Sequence, residues 1–227
     1  MISALLSRGF GYGSGLLSPA MDQFIVNIPK NASSYIHHWS IRHGWTATLA
    51  QKNTENIKEM IVILRDPVQR WISGISQYIT TYIQGVHGPN GPVFDGMIVT
   101  EQDYFMSADM FIAQYNDLVE RLFLDVGSRF DDHVWPQSEL LSDLLPTVKR
   151  TYFFLDENLN ARLSKYLGFT EFTDIDRNQG TNNPEQKKIQ EFFIGRLNDR
   201  SELKERLIKH YHEDYDLIDS VEFYGDK

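Results

Sequence analysis

Met60-Ile61-Val62-Ile63-Leu64-Arg65-Asp66-Pro67-Val68-Gln69-Arg70-Trp71-Ile72-Ser73 is the stretch that decides the fold. Five apolar residues, three of them β-branched, predict a buried strand. Asp66-Pro67 then announces a helix. Aspartate is a favoured N-cap, proline suits the first helical position, and Gln69 stands where a capping box needs it. Val68, Trp71, Ile72, Ile75, Ile79, Tyr82 and Ile83 recur at helical spacing on one face. A buried strand running straight into an amphipathic helix is the unit of an α/β protein.

Upstream, Phe24-Ile25-Val26-Asn27-Ile28 predicts a second buried strand and Tyr35 to Arg42 a helix. Trp45 to Leu49 reads as a strand, as does Tyr152-Phe153-Phe154-Leu155. Helices are expected from Ala108 to Phe123 and over Leu159–Leu167, the latter stopped by Gly168. The chain from Pro184 to Ile218 reads as helical with a charged exterior. Residues 85–96 and 174–184 read as loops. Residues 1–20, with several glycines, read as a flexible lead-in, and residues 21–227 as a single domain. Strands alternating with helices imply a central, mostly parallel sheet with helices on both faces.

Composition narrows the function. The 227-residue chain carries a formal net charge of −9, which argues against a broad nucleic-acid interface but not against a small basic pocket. With no cysteine, disulfides, thiolate metal sites and cysteine nucleophiles are excluded. No apolar run approaches the ~20 residues of a membrane span, and the first residues are too short for a signal-peptide core. A cytoplasmic location is expected.

Two segments carry chemistry. Pro29-Lys30-Asn31-Ala32-Ser33-Ser34-Tyr35 lies between a buried strand and a helix. Small residues let the backbone curl around an anion, the helix N-terminus offers free N–H groups, Ser33 and Ser34 add hydroxyls, and Lys30 adds a charge. It is not a Walker A loop, because the lysine precedes the turn and G-x-x-x-x-G-K-[ST] is absent. An ordinary strand–turn–helix connection with a surface lysine is the competing reading. Arg65 ends the best strand, where ligands bind in open α/β sheets, and Ser73 lies two turns into the next helix, off its apolar stripe. Such a guanidinium and hydroxyl suit a phosphate.

Together these segments resemble the PAPS-dependent sulfotransferases, especially the carbohydrate and membrane-associated branch. PAPS is 3′-phosphoadenosine 5′-phosphosulfate. In that branch a P-K-x-[GA]-[ST]-[ST] loop binds the 5′-phosphosulfate, and an R-D-P-x-x-R-x-x-S segment binds the 3′-phosphate. Pro29 to Ser34 matches the first, and Arg65-Asp66-Pro67 with Arg70 and Ser73 matches the second. His133-Val134-Trp135-Pro136-Gln137 is similar to an H-x-x-P-Q segment of the branch. Tyr152 to Glu157 resembles its late strand and acidic turn, Asn178 its nucleotide-closing loop, and Tyr211-His212-Glu213-Asp214-Tyr215 its final Y-x-x-D helix. Ala32 departs from the commoner glycine and Ile75 from a frequent aromatic.

The resemblance implies a P-loop-like three-layer fold and sulfuryl transfer from PAPS to a hydroxyl acceptor, a carbohydrate being favoured, with 3′-phosphoadenosine 5′-phosphate (PAP) as product. Lys30, Asn31, Ala32, Ser33, Ser34, Tyr35, Arg65 and Ser73 would hold the nucleotide, with Lys30 also catalytic. No metal and no membrane span are called for. His133 is the first choice of general base, with His43 and Glu55 next; His37, His38, His210 and His212 read as structural or solvated. Tyr78, Tyr82, Tyr104 and Phe105 read as core before acceptor pocket. A P-loop-like small-molecule kinase and a degenerate, non-catalytic binding domain are the alternatives. The first would need Mg²⁺ and its ligands after a Walker lysine. The second would be favoured by loss of Lys30, Arg65 or Ser73.

Overall fold

The structure is a computed structural model. It describes residues 13–52, 55–83, 107–114, 116–117, 120, 133–169 and 183–225. Expectations for Tyr104, Phe105 and Asn178, for the loops at 85–96 and 174–182, and for the end of the 108–123 helix lie outside them, as does the side chain of Tyr82.

The protein is α/β, with a five-stranded mixed sheet flanked by helices. The strands are β1 (Ser14–Leu17), β2 (Gln23–Val26), β3 (Thr46–Leu49), β4 (Glu59–Leu64) and β5 (Lys149–Phe154), in the order β3-β1-β2-β4-β5. The helices are α1 (Ser33–Arg42), α2 (Pro67–Ile83), α3 (Ala108–Gln114), α4 (Gln137–Leu141), α5 (Leu159–Leu167), α6 (Pro184–Asp199), α7 (Ser201–His210) and α8 (His212–Ser220). The expected C-terminal helical run is thus broken at Arg200 and Tyr211.

The sheet is less parallel than expected. β2 pairs in parallel with β4, and β4 with β5, but β1 is antiparallel to both β2 and β3. The cause lies in the stretch read as a lead-in, whose residues 14–17 form β1. A short turn from Ser18 to Asp22 returns the chain directly into β2, and a connection that short joins only antiparallel neighbours. The Ser18 hydroxyl fixes the turn by accepting from the Asp22 and Gln23 N–H groups at 3.2 and 3.1 Å. β1 is therefore a reversed strand inserted between β3 and β2, while β3, β2, β4 and β5 all run the same way. Gly15 permits the insertion, because a Cβ there would overlap the Ile25 carbonyl and the Phe24 ring.

The described residues fall into two compact units. The first holds the sheet with α1, α4, α5 and most of α8; the second runs from Pro67 to Trp135 and from Asn178 to His212. In the first, one sheet face buries Leu16, Ile25, Ile61, Ile63 and Phe153 against Ile36 and Trp39 of α1 and Leu159 and Leu163 of α5. These residues alternate along their strands with Phe24, Met60, Val62 and Leu64, which are also buried. Both faces of β4 are thus apolar, as its unbroken hydrophobic run required. In the second unit α2 packs with α6, where Trp71 meets Phe193 edge-on at 5.4 Å. Among the described residues no helix is long and apolar enough to cross a membrane.

Candidate anion-binding site

β2 and β4 are adjacent and parallel, so the loops leaving their carboxyl ends are neighbours. The first loop runs from Asn27 into α1. Lys30 has φ 69° and Ala32 φ 61° with ψ 16°, so two left-handed residues flank Asn31. Left-handed turns of this kind swing backbone N–H groups toward one side and make a concavity suited to an anion. The first turn of α1 has no side-chain cap, and its first intrahelical bond closes from the Ile36 N–H to the Ala32 carbonyl at 3.0 Å. Helix N-terminal N–H groups without a cap are donors for a ligand.

Arg65 is tied to this loop. Its Nη1 donates to the Lys30 carbonyl at 3.0 Å, so the guanidinium is bonded to the backbone of the loop. Lys30, Ser33 and Arg65 are half-buried and Ser34 is exposed. Tyr35 packs its ring against the α1–sheet core. Asn31 is 2% exposed. Its Nδ2 donates to the Ile63 carbonyl at 2.7 Å and to Gln137 Oε1 at 2.5 Å. The Asn31 amide therefore anchors the loop to β4.

Gln137 and Asp214 were missed as parts of this site. Gln137 is fully buried. Its Oε1 also accepts from the Arg65 N–H at 3.0 Å, and its Nε2 donates to the Arg65 carbonyl at 2.9 Å. One side chain thus holds the backbone of Arg65 and the side chain of Asn31. Asp214, 1% exposed, orients it by accepting from the Gln137 and Ser138 N–H groups at 2.9 and 2.8 Å and from the Ser138 hydroxyl at 2.8 Å. Buried carboxylates survive only with such a set of donors. The only signal was the likeness of the Pro136-Gln137 and Tyr211-to-Asp214 segments to an H-x-x-P-Q segment and a Y-x-x-D helix. Tyr215 adds a bond from its hydroxyl to Asp66 Oδ2 at 3.3 Å.

Beside the loop lies a cavity of about 290 Å³. It sits between the Ser33–His37 face of α1 and strands β1, β2 and β3.

The remaining expected residues distribute as follows. Ser73 belongs to α2 in the second unit and is 8% exposed, not on an open face, because α2 is packed on several sides by α3, α6 and α7. Arg70, 1% exposed, donates to the Trp135 carbonyl and is a structural residue of that unit. His133 is half-buried there, with its backbone against Gly74. Tyr78 is core. His43 stacks on Trp39 at 4.2 Å and bonds through Nδ1 to the Trp39 carbonyl at 2.9 Å, a C-terminal cap of α1. Glu55 is exposed, and so is His212, whose Nδ1 lies 3.1 Å from the Lys209 carbonyl.

No family model, no curated protein and no solved structure matches the chain.

Proposed function

We propose that the protein is a sulfotransferase of P-loop-like α/β architecture that moves a sulfuryl group from PAPS to a hydroxyl. One observation carries the reading. Lys30, the uncapped N-terminus of α1 and Arg65 converge at the carboxyl ends of two adjacent parallel strands. That is where open α/β sheets bind nucleotides. The residues fit the phosphates of such a donor. Left-handed Lys30 and Ala32 shape a backbone concavity, Ser33 and Ser34 add hydroxyls, and the Arg65 guanidinium is bonded to the loop backbone. Ser73 and His133 belong to the second unit, and residues of the first unit carry the reading by themselves.

The chemistry asked of these residues is positioning and charge neutralisation. Loop N–H groups and the two serines hold a 5′-phosphate in register. Lys30 offsets the negative charge that develops on the departing phosphate oxygen. Arg65 supplies a guanidinium for a further phosphate, its backbone fixed by Gln137. The donor supplies the activated sulfuryl group. A carbohydrate or another small hydroxylated molecule accepts it.

Calorimetry tests this. PAP should bind at least about tenfold tighter than adenosine 5′-monophosphate, since a charge-assisted bond to phosphate is worth about 1.5–3 kcal/mol and ~1.4 kcal/mol is tenfold. Arg65→Ala should erase most of that preference and change monophosphate binding much less. Equal affinities in the wild type, or a Mg²⁺-dependent preference for a triphosphate, would refute the assignment.

A further inference from the structure

We propose that the cavity beside the anion loop is the acceptor pocket, that it takes a neutral or acidic hydroxylated molecule of about monosaccharide size, and that His37 receives the acceptor's proton. This deepens the sulfotransferase reading and rests on it.

Size comes first. A volume of about 290 Å³ is about ten water volumes, at the lower end of ligand pockets. A single sugar ring with its hydroxyls fits such a space. Character comes second. Asn27, whose Nδ2 donates to Ser14 Oγ at 3.3 Å, and Ser33 are polar lining residues, while Leu16 and Ile36 are among the apolar ones. That mixture suits a molecule with a polar rim and an apolar ring face. None of the described lining residues is acidic, and Lys52 is among them. An amine acceptor would lack a counter-charge here, whereas a neutral or carboxylated one would not.

Position comes third. Ser33 and His37 are four residues apart on α1, hence on one helical face, and both line the cavity. Ser33 is also the first residue of the helix whose N-terminus closes the anion loop. One helical turn, about 5.4 Å, thus separates the anion-binding end of α1 from His37. Histidine exchanges protons near neutrality. The acceptor oxygen forms a bond to sulfur while the bond from sulfur to the 5′-phosphate oxygen breaks. The electron pair of that bond stays on the phosphate oxygen beside Lys30, and the hydroxyl proton passes to the His37 ring.

Ala47 lines the same cavity from β3 and is solvent-exposed, so a larger side chain there fills the space without entering the core. The probes are a set of methyl glycosides, neutral and uronic, with PAP bound. Saturation-transfer NMR should detect at least one of them on the wild type. Ala47→Phe should abolish that signal, raise the KM for the same glycoside at least tenfold and leave PAP affinity within twofold by calorimetry. His37→Ala should lower kcat by about 10²–10⁴ with KM and PAP affinity little changed. Exogenous imidazole should restore at least tenfold of it, which a packing role would not allow. Binding of no glycoside, an undiminished signal in Ala47→Phe, or full turnover in His37→Ala would overturn the pocket while PAP binding upholds the sulfotransferase. Failure of the wild type to bind PAP would overturn both.

Discussion

Glu59 offers a direct test of how the sheet is held at the end opposite the anion loop. It opens β4 beside Gln23 of β2 and Lys149 of β5. Burial by itself pushes the Glu59 carboxyl up. Hydrogen bonds from Lys149 at 2.5 Å, Tyr166 at 2.6 Å, Thr151 at 2.7 Å and Gln23 at 3.0 Å outweigh it and hold the group at about 2, against an ordinary 4.5. That difference corresponds to ~3 kcal/mol favouring the ionised, folded form. The Lys149 side chain is 68% exposed, so solvent screens its share and about 2 kcal/mol remains. The folded-state value is depressed, so this stability is complete above about pH 5 and is lost as pH falls toward about 2. Glu59→Gln should cost about 2 kcal/mol in urea unfolding near pH 7. The gap to wild type should narrow as pH falls below about 4.5 and close only below about pH 2, where the wild-type carboxyl is itself largely protonated. A deficit of equal size at both pH values would show that the variant disturbs packing and not charge, and would refute the reasoning.

Gly15→Ala should destabilise by about 1–3 kcal/mol in chemical denaturation, because its Cβ overlaps the Ile25 carbonyl and the Phe24 ring. Gln137→Met keeps the bulk but leaves Asp214 and the Arg65 backbone short of partners. It should cost about 2–4 kcal/mol and lower PAP affinity more than tenfold, whereas a role in packing alone would spare the affinity.

Elements with a strong local pattern were legible from the sequence. Met60 to Leu64 is apolar at every position, and no surface strand tolerates that, so β4 lies inside the sheet. Gly168 stops α5 in the left-handed conformation its position implied, φ 71°. β1 was not legible, because Ser14-Gly15-Leu16-Leu17 has neither alternation nor β-branched residues, and its glycine acts through a close approach made only after the chain folds. The anion loop was legible as residue types in order. Its support was not, since Asn31, Gln137 and Asp214 are separated by 106 and 77 positions and are joined only by tertiary hydrogen bonds. Histidines were the least legible group. Nothing local separates His43, whose ring stacks on Trp39, from His37, which lines a cavity.

The buried polar network explains why a loop containing two strained residues keeps one shape. A left-handed residue other than glycine costs about 1 kcal/mol, and Lys30 and Ala32 both adopt that conformation. Such strain persists only where the surroundings over-determine it. Here Asn31, lying between the two, is bonded to β4 and to Gln137; Gln137 is bonded to both sides of the Arg65 peptide backbone; and Asp214 holds Gln137. Each of these bonds exceeds water exposure in value because the groups are buried and an unmade bond there costs about 1–3 kcal/mol. Under the proposed function, the concavity and the Arg65 backbone are fixed before the donor's phosphates arrive. A preorganised site of that kind would spend little of its binding free energy on ordering the loop, and donors already aimed at the position where charge develops are the kind that accelerate group transfer.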